Sequence, residues 1–261
     1  MMGKQDIFQL DFAYLETFSK RTETTWGSLF CNENQPSYYD ANHAHVSDAY
    51  DNPQAIIDEV VAFYESRQLI PRFYLYNLDS LQNLIASLKE NQFGYEELIS
   101  PVQLWDKKTI EKDQNENVTI EIVTEENYED TLLIECSIKE FGGKEVREKA
   151  FEEEFNHPSF VHYLLRYKGV ACATACLFIN EMQARLESVA TLEEYRGKGL
   201  IGELIRYIQK EAVKQEVDNL WVFPIDEKIE NVYRKYGFQS VEKRTTGHAF
   251  LGGKSITEIR G

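Results

Sequence analysis

The chain has 261 residues, 43% of them hydrophobic and 13% aromatic, enough to pack one large domain or two ordinary ones. Its 44 acidic and 28 basic side chains leave a formal net charge of −16, which repels polyanions and argues against a nucleic-acid partner; it would favour a cationic substrate, but is also a common route to solubility. No run approaches the roughly 18 apolar residues of a membrane span, and Met1 to Asp6 leads into no secretory core. The four cysteines, Cys31, Cys136, Cys172 and Cys176, are scattered and too few for a disulfide framework. The expectation is a cytoplasmic protein without a membrane partner.

In chain order, the first half reads as a strand at His43–Ser47 and a helix at Gln54–Ser66 with Ile56, Val60 and Phe63 inward. A strand at residues 72–78 (RFYLYNL), a helix at Leu81–Leu88 and the segments QFGYEE and VQLW complete it. Between Trp105 and Val118 lies DKKTIEKDQNEN, charged and nearly free of apolar residues, the best linker in the chain. It suggests two domains, residues 1–112 and 113–261.

The second half opens with the alternating strand VTIEIV at 118–123, followed by helical stretches at Tyr128–Glu140 and Lys144–Phe155. Strands at Val161–Tyr167, Val170–Ile179 and Met182–Ala190 then succeed one another, joined by two-residue turns at Lys168-Gly169 and Asn180-Glu181. The last of them runs into RLESVATLEEYRGKGLIG (185–202), the most informative stretch of the chain. Beyond it, a helix reaching about Glu216 carries Ile201, Leu204, Ile205, Ile208 and Ala212 at the i, i+3, i+4, i+7 spacing of one buried stripe. LWVF (220–223) is a continuous apolar run, as expected of a strand covered on both faces. A short helix with Ile229, Val232, Tyr233 and Tyr236 on one face stops at Gly237, and Val241–Leu251 returns as a strand. The first half repeats the strand–helix–strand–helix–strand order of residues 182–251, but Asp48–Pro53 (DAYDNP) offers no glycine turn.

A strand ending in an acidic turn, then a basic residue, two close glycines and an amphipathic helix, presents free backbone N–H groups and a positive helix end to an anion. Gly197 to Gly202 also spells GxGxxG, but it follows an antiparallel meander, and Asp218 precedes the next strand where a dinucleotide fold closes the strand with its acid. Gly253-Lys254-Ser255 resembles the end of a phosphate-binding loop, yet His248 stands where the first glycine belongs. His43 and His45 share a strand face near Cys31 without the three or four ligands a metal needs. Cys172 and Cys176, on one face of an ideal strand, read as small buried residues. No metal is expected.

Arg196-Gly197-Lys198-Gly199-Leu200 resembles the acyl-CoA motif [Q/R]-x-x-G-x-[G/A] of the GCN5-related N-acetyltransferases, with Ile201 in the final place and Gly202 just after it. YRKYGF (233–238) is similar to that family's LYEKLGF, and the likeness runs in order through residues 118–251. It implies an α+β fold in αβα layers, with a mixed, mostly antiparallel central sheet, one splayed parallel strand pair and tandem domains. The first half resembles the degenerate N-terminal partner of two-domain bacterial members, and is expected to support the fold and help wall the acceptor cleft.

The resemblance further implies acetyl-CoA as co-substrate and direct transfer to the amine of a small molecule or peptide. The pyrophosphate would meet the amides of Gly197 to Gly202, helped by Arg196 and Lys198. The pantetheine arm would lie along Val189, Ala190 and Thr191, where one N–H could polarise the thioester carbonyl. Tyr233 matches the tyrosine that protonates the leaving thiolate, although its spacing from Ile229 also suits a core position. Glu187, two residues before Val189 and so on its face in an ideal strand, could take the proton of the attacking ammonium, or be a solvated carboxylate. The run Glu152-Glu153-Glu154 is a solvated helix face by default. The other class of reading is a non-catalytic acyl-CoA sensor or interaction module. The oligomeric state is open.

Overall fold

The computed structural model describes residues 4–48, 51–110 and 115–260. Positions 111–114 of the expected linker, residues 49–50 of the DAYDNP connection and residues 1–3 lie outside the described residues. The helices are α1 (Lys4–Glu16), α2 (Pro53–Glu65), α3 (Gln82–Glu90), α4 (Tyr128–Cys136), α5 (Lys144–Phe155), α6 (Leu200–Lys214), α7 (Glu227–Arg234) and α8 (Ile256–Arg260). The strands are β1 (Lys20–Glu23), β2 (Ser28–Cys31), β3 (His43–Val46), β4 (Arg72–Leu75), β5 (Gly94–Trp105), β6 (Val118–Ile122), β7 (Phe160–Tyr167), β8 (Val170–Asn180), β9 (Gln183–Thr191), β10 (Asn219–Val222) and β11 (Phe238–Phe250). No described helix is long and apolar enough to cross a membrane.

The chain groups into two compact units, residues 1–10 with 101–243, and residues 11–100 with 244–261. Strands β5 and β11 each contribute one half to each unit. In the first unit the strands run β5-β10-β9-β8-β7-β6, all antiparallel except the pair β9–β10. Helix α6 lies on one face, where Leu200, Leu204, Ile205, Ile208 and Ala212 join Tyr163, Leu165, Leu177 and Leu186 in a core, as the apolar stripe predicts. Helices α4 and α5 cover the other face, with Ile134, Ile138 and Phe151 packed on Leu164 and Ala190. This is the αβα layering expected from the sequence.

Element ends follow local chemistry. Lys168 (φ +52°) and Gly169 (φ +79°) form the two-residue hairpin turn that twisted strands prefer. The next turn falls one residue later than expected, with Glu181 at φ +54° and Asn180 paired to Gln183. The helix expected over Tyr128–Glu140 stops at Cys136, and a single 3-10 turn follows at Lys139–Phe141. Gly142 and Gly143, at φ +90° and +87°, then reset the chain for α5, whose Lys144–Phe155 span is the expected one.

In the second unit the order is β1-β2-β3-β4-β11, with β3 and β4 parallel. Helices α2 and α3 supply Ile56, Ile57, Val60, Leu84, Ile85 and Leu88 to a core with Phe73, Leu75 and Val46. Helix α1 and strands β1 and β2 had no counterpart in the sequence reading: α1 has no clear apolar stripe, and β1 has only charged and threonine side chains.

Candidate acyl-CoA site

The site is set where β9 and β10 part. Their parallel ladder covers only Gln183, Ala184 and Arg185 against Asn219, Leu220 and Trp221. Beyond it β9 runs on to Thr191 while β10 ends at Val222, whose partner is Gln103 of β5. One edge of β9 is therefore left without a strand partner over Leu186–Thr191. Asp226 caps α7 by accepting from the Ile229 N–H at 2.7 Å, and Gln209 of α6 donates to the Tyr236 carbonyl at 2.7 Å. These bonds fix the two helices that flank the gap. Gln209 was missed because it is polar, yet it sits on the buried side of α6.

Strand β9 is irregular at the same place. Thr174 of β8 pairs with Ala190, but Cys176 pairs with Glu187, so Ser188 and Val189 together face Ala175. Ser188 takes φ +49°, the mark of a β-bulge. The bulge reverses the alternation of side chains: Ala184, Leu186 and Val189 pack on the α6 side, whereas Ala190 packs against α4 and α5. The ideal-strand argument that put Glu187 and Val189 on one face is thereby corrected. Glu187 lies on the face of its partner Cys176. A second irregularity, between Leu165 and Arg166, leaves Cys172 as an extra residue in β8. Cys172 joins the α6-side core, so Cys172 and Cys176 do not share a face either.

The glycine turn holds Gly197 at φ +77° and Gly199 at φ +76°, with nothing within 4 Å of a side chain added at either. Gly199 is the N-cap of α6 and supplies no side-chain cap. Among the described residues, no acceptor takes the N–H groups of Gly197, Lys198, Gly199, Leu200 or Ile201. Those of Arg196 and Gly202 are used, donating to the carbonyls of Glu193 and Gly199 at 3.1 Å each. Five undonated N–H groups at the positive end of a fifteen-residue helix make a strong anion cradle.

Gly202 serves otherwise than expected. It is buried, and an added side chain would come within 2.0 Å of the Tyr236 hydroxyl, so here glycine admits a tyrosine ring to the helix. Both basic side chains of the turn are exposed: Arg196 donates through Nε to the Thr191 carbonyl at 3.1 Å, and Lys198 Nζ donates to the Glu194 carbonyl.

Tyr233 is 5% exposed and meets Phe238 edge-on, ring centroids 5.6 Å apart. Its hydroxyl has no hydrogen-bond partner among the described residues. Burial holds that phenol well above the usual tyrosine range, and the charge of Glu187 pushes the same way. Glu187 accepts from Arg185 Nε at 2.7 Å, and Arg185 lies over the Phe223 ring at 4.5 Å. The structure thus brings Tyr233 and Glu187 within electrostatic reach of each other. Under α7, Glu230 is fully buried and held by Arg234 and Ser240, while Gln103 donates to its carbonyl at 3.3 Å.

Comparison with known proteins agrees with this geometry. The Acetyltransferase (GNAT) family matches residues 126–238. No curated protein matches the sequence. A GCN5-related N-acetyltransferase from Kribbella flavida shares the fold with a TM-score of 0.70 at 18% identity, over 99% of each chain. A conserved protein of unknown function from Staphylococcus epidermidis reaches 0.72 at 12% identity, over 93% of this chain and 98% of its own. A GCN5-related N-acetyltransferase from Sphaerobacter thermophilus reaches 0.60 at 13% identity, over 94% and 87%. At such identities these likenesses speak to the fold, and the sequence match speaks to the family. The family match is confined to residues 126–238 of the 261.

Proposed function

We propose that the protein is an N-acetyltransferase that moves an acetyl group from acetyl-CoA to a primary amine by direct attack in a ternary complex. The observation that carries the reading is the row of five undonated N–H groups, Gly197 to Ile201, beside the unpartnered edge of β9. In this reading the pyrophosphate lies on those N–H groups, with the exposed Arg196 and Lys198 adding positive charge. The pantetheine amides bond the main chain of Val189, Ala190 and Thr191 as an added strand would. Gly202 acts from behind, letting Tyr236 close on α6.

The amine lone pair attacks the thioester carbonyl carbon, forming the C–N bond. A main-chain N–H of the bulge stabilises the oxygen as charge develops on it. As the C–S bond breaks, the sulfur keeps the electron pair and Tyr233 donates its proton or a hydrogen bond. A raised pKa makes the phenol a weaker acid than the thiol it would form, so donating a hydrogen bond to the sulfur is its easier role. Glu187 takes the proton the ammonium must lose, directly or through water. In place of the expected halves 1–112 and 113–261, the unit containing residues 101–243 is the active one and that of residues 11–100 with 244–261 the degenerate one, and the acceptor is selected in part by Tyr128–Phe160. The protein is read as cytoplasmic.

The test is release of free CoA thiol from acetyl-CoA over a panel of polyamines, amino acids, aminoglycosides and peptides. Release with at least one amine, lost in Tyr233→Phe at unchanged acetyl-CoA affinity, is the expected result. Binding of acetyl-CoA with no release for any amine would replace the enzyme by a sensor.

A further inference from the structure

On the α4/α5 face of the sheet lies a buried cluster that the acyl-transfer reading does not use. Glu154 of α5, His162 of β7 and Cys176 of β8 are 3%, 3% and 0% exposed. Their donor atoms all fall within 4.8 Å of one another. His162 Nε2 is 3.7 Å from Cys176 Sγ and 3.7 Å from Glu154 Oε2. Around a tetrahedral zinc with bonds of about 2.0–2.3 Å, neighbouring donors stand about 3.3–3.6 Å apart. The two His162 spacings need shorten by only a few tenths of an ångström, and the Cys176–Glu154 spacing, within 4.8 Å, by about 1.5 Å at most.

The surroundings suit a metal as well. Arg147 grips the Glu154 carboxylate with both terminal nitrogens, at 2.9 and 2.6 Å, and so fixes its direction. The other ring nitrogen of His162, Nδ1, is buried without a hydrogen-bond partner, and Glu135 Oε1 faces it at 4.0 Å. A proton on Nδ1 leaves the Nε2 lone pair aimed at Sγ and Oε2, the carboxylate–histidine arrangement that supports metal ligands. Charge also closes. With Cys176 ionised on binding, two carboxylates, one thiolate and one guanidinium would carry two negative charges, which a divalent cation cancels. A mixed sulfur, nitrogen and oxygen set suits zinc.

We propose that Glu154, His162 and Cys176 form a structural zinc site that ties α5 to β7 and β8. On binding, the Cys176 thiol gives its proton to solvent and a zinc–sulfur bond forms. The fourth position falls to a water brought in with the ion, since Arg147 Nη1 holds the second oxygen of Glu154.

The test is zinc content of protein made in zinc-supplemented cells and dialysed, paired with the spectrum of the cobalt-substituted protein. We expect about one zinc per chain and a thiolate-to-cobalt charge-transfer band. Both should survive in a Cys31→Ser, Cys136→Ser, Cys172→Ser triple variant and vanish in Cys176→Ser and in His162→Gln. Wild-type protein lacking both zinc and the cobalt band overturns the site without recourse to any variant. Zinc and band retained in Cys176→Ser overturn it as well.

Discussion

The two strand–helix–strand passages β9–α6–β10 and β3–α2–β4 share one plan and end differently. In the second, β3 and β4 stay in register to Val46 and Leu75, and Tyr76 N–H adds one more bond to the Val46 carbonyl at 2.8 Å. The helix that follows β3 has a side-chain cap: Pro53 has no N–H to offer, and Asn52 Oδ1 accepts from the Ala55 N–H at 3.2 Å. In the first, the ladder stops at Arg185 and Trp221, β9 bulges at Ser188, and α6 begins at a glycine without a side-chain cap. The same device thus keeps its strand ladder and a side-chain helix cap in one unit, and leaves five N–H groups and a bare strand edge in the other. What separates a supporting fold from a binding site is an unfinished hydrogen-bond account.

The largest effect is expected where that account is left open. Gly199→Asp puts a carboxylate in open space at φ +76°, and should weaken acetyl-CoA binding about 100-fold or more, close to 3 kcal/mol. Unchanged affinity would break the contrast between the two helix starts. Tyr233→Phe should keep the packing on Phe238 and the cofactor affinity while turnover falls about 100-fold. A loss of affinity with turnover intact would make Tyr233 a packing residue only.

A third prediction concerns the second unit. Burial pulls His43 down to about 3 and holds His45 well below the ordinary imidazole value. Both bases have depressed folded pKa values, so the unfolded chain takes protons that the folded unit refuses. Stability should fall as the pH drops below about 6.5, by at most about 1.4 kcal/mol per pH unit for each histidine. Melting temperatures at about pH 7.5 and about pH 5, in wild type and His43→Gln, check this: the variant should lose less on acidification. Smallest of the set, Asn52→Ala removes the cap of α2 and should cost about 1 kcal/mol of stability, with acetyl-CoA affinity unmoved. An altered affinity would show that the capped passage takes part in binding.

The sequence carried the parts of this contrast that rest on local rules. The α6 stripe, the two glycines before it, the α5 span and the apolar β10 all follow from periodicity, turn chemistry and burial. Pairing irregularities did not show, because a bulge depends on how two strands meet. Ser188 is unremarkable in the sequence, yet its φ of +49° marks the bulge that put Glu187 and Val189 on opposite faces, and the extra residue Cys172 in β8 likewise parted it from Cys176. The role of Gly202 was equally hidden, since only packing brings the Tyr236 ring against it. The grouping of Glu154, His162 and Cys176 needed three elements in place before their donors could be seen together.

The central claim is that one passage of the chain binds the cofactor and the other, its near copy, does not. Calorimetric titration of the purified protein with acetyl-CoA tests it most directly through the stoichiometry. About one acetyl-CoA per chain should bind, with micromolar-range affinity. No binding, or two equivalents per chain, would contradict it.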